Sequence, residues 1–233
     1  MHVLDNPVWH ALAGPHATVA QATPFAARYE PDVAPFGALP DDAGPEAWDA
    51  LRELVGPGGT AVLARADVAV PHDWTVPFVL PCRQMWLTAA LAPDARGTAA
   101  DAEAGIAPLT ADDVEEMIAL VERTRPGPFL TRTIELGTYL GVWGKRKDLV
   151  AMAGERMRPP GFTEISAVCT DGAHRGRGLA SRLVRTLVKA IRERDETPCL
   201  HLTQENEGAH RVYGELGFET RRLVDVVAVR APK

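Results

Sequence analysis

The chain has 233 residues, 46% of them apolar and 24% charged, with a formal net charge of -6, enough for one large domain or two small ones with a sizeable core. That acidic balance leaves no diffuse basic field for nucleic acid or anionic lipid, and the longest apolar stretch, 71–92, is broken by Asp73, Pro77, Pro81, Arg83 and Gln84, so no membrane span is expected. Cys82, Cys169 and Cys199 form no C-x-x-C and no cluster with the scattered histidines, which points to a reduced, cytoplasmic setting with buried thiols and no metal.

Residues 1–20 lack a basic start and a continuous apolar run, so they do not read as a secretion signal. Twelve of the nineteen prolines precede residue 94. Proline removes a backbone donor and disfavours helix in the residue before it, so this half is expected to be loop-rich, an α+β subdomain spanning 1–105. A short helix is predicted at 48–55 and strands at 60–66 and 78–88. Trp74, Phe78 and Trp86 form an apolar trio that serves either as core or as the wall of an acceptor pocket. The Ala-, Asp- and Gly-rich stretch 92–105 reads as a linker.

From residue 106 the elements alternate. Thr110 followed by Asp113 predicts a helix start, with Val114, Met117, Ile118 and Val121 on one face. Strands are predicted at 133–143 and 149–157, joined by a charged turn, and a third at 163–169. A helix over 176–194 carries the stripe Leu179, Leu183, Val184, Leu187, Val188 and Ile191. A strand at 199–203, a helix at 208–216 and a strand at 223–230 complete an α/β plan of order α, β, β, β, α, β, α, β.

Chemistry concentrates where the third strand enters the long helix, at Val168, Cys169 and Thr170, then Arg175, Gly176, Arg177, Gly178, Leu179, Ala180 and Ser181. At a helix start several backbone amides lack intrahelical partners and the macrodipole is positive, so a phosphate can sit there, and glycine lets it approach. No Gly-Lys-Ser/Thr follows and the spacing is not G-x-G-x-x-G, which excludes a Walker loop and a dinucleotide fingerprint. Downstream, Asn206 is a natural N-cap, Gly217 a natural left-handed ending and Phe218 the apolar residue that packs back. Between them Ala209, Tyr213 and Leu216 share a face.

Arg175, Gly178 and Ala180 fit the pattern Arg/Gln-x-x-Gly-x-Gly/Ala, and Asn206, Ala209, Tyr213, Gly217 and Phe218 follow in the order and on the element types of the same set. In these residues the chain resembles the GNAT superfamily of N-acetyltransferases, over 106–233, and the resemblance leaves 1–105 as either a degenerate GNAT-like subdomain or the wall of the acceptor pocket. The resemblance implies a GNAT-like mixed sheet flanked by helices, with acetyl-CoA as cosubstrate and no metal. It implies a cofactor side built from Val168, Cys169, Thr170, Arg175, Gly176, Arg177, Gly178, Leu179, Ala180, Ser181, Asn206, Ala209 and Tyr213, with the pantetheine between the strands ending at Val168 and Thr203. A backbone amide near Val168 would steady the oxyanion.

Tyr213 is then the proton donor to the departing thiolate, against the alternative of a core tyrosine. Glu164, eleven residues before Arg175, is the candidate general base, against a salt-bridged strand residue. Strand alternation places it on one face with Ser166 and Val168. Glu155, His174 and His201 are the further candidates. The acceptor is a small-molecule or peptide amine, and the chain is compatible with a homodimer. The rival readings are a non-catalytic acyl-CoA-binding sensor and a phosphate or nucleic-acid module built on Arg175, Arg177, Arg182 and Arg185. The acidic net charge speaks against the second.

Overall fold

The computed structural model describes residues 2–65, 68–93 and 105–233. Eight strands form one sheet: β4 (Thr60–Ala64), β5 (Thr75–Trp86), β6 (Ile106–Pro108), β7 (Tyr139–Trp143), β8 (Leu149–Glu155), β9 (Phe162–Thr170), β10 (Thr197–Thr203) and β11 (Glu219–Arg230). Their order is β4-β11-β5-β10-β9-β8-β7-β6. A second, three-stranded sheet is formed by β1 (Ala20–Ala22), β2 (Ala27–Tyr29) and β3 (Gly37–Ala38). Among the described residues the α-helices are α1 (Pro7–Leu12), α2 (Pro45–Val55), α3 (Val114–Thr124), α4 (Leu179–Arg192) and α5 (Glu207–Leu216).

Neighbouring strands of the large sheet are antiparallel except β9 and β10. A mixed α/β sheet flanked by helices is thus what the sequence led us to expect. Position 105 does not divide that sheet, because β4 and β5 from the first half pair with β11, and β5 also pairs with β10. Most of the expected linker, 94–104, lies outside the described residues.

The long helix forms as its spacing dictates. Leu179, Leu183, Val184, Leu187, Val188 and Ile191 are all buried, recurring every three to four residues, and face Ile165, Leu200 and Leu202. Met117 and Leu120 of α3 pack instead with Leu149, Met152, Ala167 and Cys169. On β8, Leu149 and Met152 therefore turn to α3 while Val150 and Ala153 turn to α4, so the sheet is covered on both faces. In α3 the buried pair is Met117 and Leu120, with Ile118 and Val121 only partly covered. Its approach at Thr110 forms as expected, the Thr110 amide donating to the Asp113 carboxylate at 2.8 Å.

Two strand expectations need correcting. Residues 133–136 are a 3-10 turn, and the strand starts only at Tyr139. The Thr133 hydroxyl accepts from the Leu130 amide and donates to the Val33 carbonyl at 2.6 Å, which holds the turn against the N-terminal half. In β9, Ala167 has φ of +54° and the pairing with β8 shifts register between Met152 and Gly154, a β-bulge. Alternation breaks there. Val168 joins Ile165 on the α4 face, while Ala167 and Cys169 pack toward α3, so Glu164 and Val168 do not share a face.

Candidate active site

The parallel pairing of β9 with β10 covers Phe162 to Glu164 against Thr197 to Cys199. Beyond that point both strands continue, to Thr170 and Thr203, without pairing to each other. The opened slot leads into a cavity of about 1250 Å³. Each residue expected on the cofactor side lines it: 168–170, 175–181, Asn206, Ala209 and Tyr213.

One end is built for an anion. Helix α4 begins after Gly178, and its first intrahelical bond runs from the Arg182 amide to the Gly178 carbonyl. The amides of Leu179, Ala180 and Ser181 therefore have no partner within the helix and stand at its positive pole. Gly176 and Gly178 hold φ of +75° and +72°, a conformation glycine adopts without strain. A Cβ at either would meet nothing within 4 Å, so the space above the amides is open. Arg123 at the end of α3 ties the loop down, donating to Asp171 at 3.1 Å and to the Leu149 carbonyl at 3.2 Å. These features fit a pyrophosphate: unpaired donors, dipole and clearance coincide.

Helix α5 places the tyrosine. Asn206 caps it by accepting from the Ala209 amide at 3.0 Å, and Gly217, with φ of +99°, ends it. The Phe218 amide then returns to the Tyr213 carbonyl at 2.9 Å, with the two rings edge to face at 5.8 Å. Tyr213 is buried yet borders the cavity, and burial raises its hydroxyl pKa, so it stays protonated at neutral pH. Among the described residues no group hydrogen-bonds to that hydroxyl.

Glu164 lies elsewhere. It is 1% exposed and does not line the cavity. Arg156 grips it through two hydrogen bonds, Nε to Oε2 at 2.9 Å and Nη2 to Oε1 at 2.7 Å, and His201 Nδ1 lies 2.8 Å from the same Oε1. Burial alone would push its pKa up, but the Arg156 charge and the hydrogen bonds from His201 and Arg156 outweigh this and hold it well below the usual carboxylate range. A carboxylate so held is a poor proton acceptor, which favours its alternative reading as a salt-bridged strand residue. Glu155 is similarly engaged, by Arg194 at 2.8 Å.

The imidazole of His201 does reach the cavity, but both its nitrogens are occupied. Gln84 Nε2 lies 3.0 Å from His201 Nε2 and 2.7 Å from the Leu4 carbonyl, while Gln84 Oε1 accepts from Arg221 at 2.6 Å. The Gln84 amide is thereby fixed as donor toward the ring, which puts the acceptor nitrogen at Nε2 and the N–H at Nδ1, facing Glu164. His174 borders the anion end beside Asp171.

The far end of the cavity is apolar, with Phe36, Ala64, Leu80 and Cys82 from the first half of the chain and Met157 and Val226 from the second. The trio expected there is absent from it. Trp74 is core against Trp48 at 5.1 Å, Phe78 is 49% exposed, and Trp86 packs on His2 and Arg221. Strand β5 turns Leu80 and Cys82, not Phe78, toward the slot. Arg156, missed in the sequence, lines this end too. The available signal was symmetry, since Arg156 and Glu164 stand four residues either side of Pro160, in the turn joining β8 to β9.

Comparison with solved structures agrees. A protein from Novosphingobium aromaticivorans, assigned to the GNAT family as an acetyltransferase, is 36% identical over the whole of both chains, with a TM-score of 0.86. The chain belongs to the GNAT family. The model of the FR47-like protein family matches residues 139–226. Two further likenesses are more distant and speak for the fold alone. A GCN5-related N-acetyltransferase from Kribbella flavida is 18% identical over 96% of this chain and 95% of its own, TM-score 0.60. A Drosophila protein is 16% identical over 88% of this chain and 73% of its own, TM-score 0.63. Among curated proteins none matches. Among the described residues no helix is long and apolar enough to cross a membrane.

Proposed function

We propose that this GNAT protein transfers an acetyl group from acetyl-CoA to a primary amine by direct attack. The observation that carries the reading is the shared cavity. It joins the unpaired amides of 179–181, the slot where β9 and β10 part, and the Tyr213 hydroxyl. The helix amides hold the pyrophosphate, and backbone groups of 165–170 in the slot meet the pantetheine amides. The amine nitrogen bonds to the thioester carbon as the carbon–sulfur bond breaks. Tyr213 gives its proton to the sulfur, the amine's excess proton leaves to solvent, and solvent returns a proton to Tyr213. Solvent accepts the amine's proton because neither Glu164 nor Glu155 lines the cavity, the His201 Nε2 lone pair accepts from Gln84, and His174 stands at the anion end beside Asp171. Glu164 acts as a positioning residue, orienting Arg156 and His201.

The missing side-chain base is also the observation favouring a binding-only sensor. Both readings meet one experiment: calorimetry with acetyl-CoA, then thiol-coupled detection of CoA release across a panel of amines. Acetyl transfer requires one acetyl-CoA bound per chain and CoA release with at least one amine. Binding without release from any amine leaves the sensor, and absence of binding at millimolar acetyl-CoA removes both.

A further inference from the structure

Arg156 is a cation set into an otherwise apolar end of the cavity. Its Nε and Nη2 are committed to Glu164, and the ring of Phe36 lies 4.9 Å from its guanidinium carbon. Among the described residues no group accepts from its Nη1. Its side chain is 12% exposed, and that exposure opens on the cavity. Burial would favour loss of its proton, but Glu164 outweighs it and keeps the group charged.

The arrangement directs the charge. Glu164 sits behind the guanidinium and is itself steadied by the His201 Nδ1–H, so the positive edge of the pair faces the cavity. The chain Asp5, Arg221, Gln84, His201, Glu164 fixes that edge, each link 3.0 Å or shorter. Carboxylates are otherwise scarce there: among the described residues that line the cavity, the one acidic side chain is Glu215, on the α5 side. Among the described residues no carboxylate at the Arg156 end is placed to hold an ammonium, whereas a fixed guanidinium N–H grips a carboxylate oxygen through a charge-assisted bond. Phe36, Leu80, Met157 and Val226 surround it with surface suited to hydrocarbon.

We infer that the acceptor is an α-amino acid with an apolar side chain, its carboxylate held by Arg156 Nη1 and its side chain against Phe36, Leu80, Met157 and Val226. This rests on the acetyl-transfer reading and names the substrate class of that site. The α-amino group, one carbon from that carboxylate, then lies in the cavity that Arg156 shares with Ser166 and the slot.

The test compares matched acceptors with saturating acetyl-CoA: leucine against 3-methylbutylamine and leucine amide, and phenylalanine against phenethylamine and phenylalanine amide. The free amino acids should show kcat/KM about 10- to 100-fold above both partners, the range expected for one charge-assisted hydrogen bond. Arg156→Met should erase the ratio while calorimetric acetyl-CoA affinity stays within twofold. Because that change strands a buried carboxylate, Arg156→Met with Glu164→Gln removes both charges and should erase the ratio equally. Equal or faster turnover of the decarboxylated amines or of the amides overturns the inference and leaves acetyl transfer standing. So does survival of the ratio in a folded double variant. No acetyl-CoA binding, or no turnover of any member, overturns both.

Discussion

Removing one oxygen from Tyr213 separates chemistry from stability. In Tyr213→Phe the ring keeps its edge contact with Phe218, and the Asn206 cap and Gly217 ending are untouched. A core tyrosine that loses a protein hydrogen bond costs about 1 kcal/mol. Here the hydroxyl has no protein partner among the described residues, so that loss does not arise, and stability should hold within about 0.5 kcal/mol. At roughly 2–4 °C per kcal/mol for a domain of this size, the melting temperature should move by less than about 2 °C. Acetyl-CoA affinity should hold as well. Turnover should not: a lost general acid lowers rate by about 10²- to 10⁴-fold, equivalent to about 3–5 kcal/mol of barrier. Thermal melting, calorimetry and steady-state CoA release on this one variant give the three readings. A kcat within a factor of three of wild type, with folding intact, would refute the assignment of Tyr213 as proton donor.

Glu164→Gln should destabilise the fold by about 3–5 kcal/mol at pH 7, because the buried Arg156 charge loses its partner. The folded carboxylate titrates below its ordinary value near 4.5, so its contribution is present above that pH and fades as pH falls through the lower folded value. Urea melts of wild type and variant should therefore converge as the pH is lowered from 7 to 3, and a constant gap would refute the ion pair's role. At the anion end, Gly178→Ala should cost about 1 kcal/mol through its positive φ yet keep the stabilisation by acetyl-CoA, whereas Gly178→Asp should abolish that stabilisation. Retention of the full shift by the aspartate variant would move the pyrophosphate elsewhere. Burial pushes the Cys82 thiol up to about 11 and raises Cys169 and Cys199 as well, so iodoacetamide at pH 8 should leave all three unmodified in the folded protein, as intact mass would show.

What the sequence revealed was what local chemistry decides. The stripe of α4, the glycines before it, and the Asn206 and Gly217 ends of α5 each follow from spacing and backbone preference within a few residues. The bulge at Ala167 was not legible, since an alanine at φ of +54° gives no glycine signal and the shift is imposed by pairing with β8. Nor was the fate of Glu164. Its partners Arg156 and His201 come from two other segments, and only their convergence turns a plausible base into a fixed anion. The acceptor wall drew on Phe36, Leu80 and Cys82, residues with no motif, rather than the conspicuous tryptophans.

The position of β5 carries a consequence for how the molecule comes into being. Residues 82–86 are inserted between β10 and β11, whose partners 199–203 and 219–224 are synthesised more than a hundred residues later. Closing loops of that length is slow and precedes any gain from the pairing. During translation the strand waits with an apolar, proline-punctuated segment uncovered, and the sheet cannot close until nearly the last strand has left the ribosome. Two separately expressed fragments, 1–93 and 105–233, should each fail to melt cooperatively alone and should regain a shared transition when refolded together. A backbone nick between them would cost little, because the joint that matters is the hydrogen-bonded one.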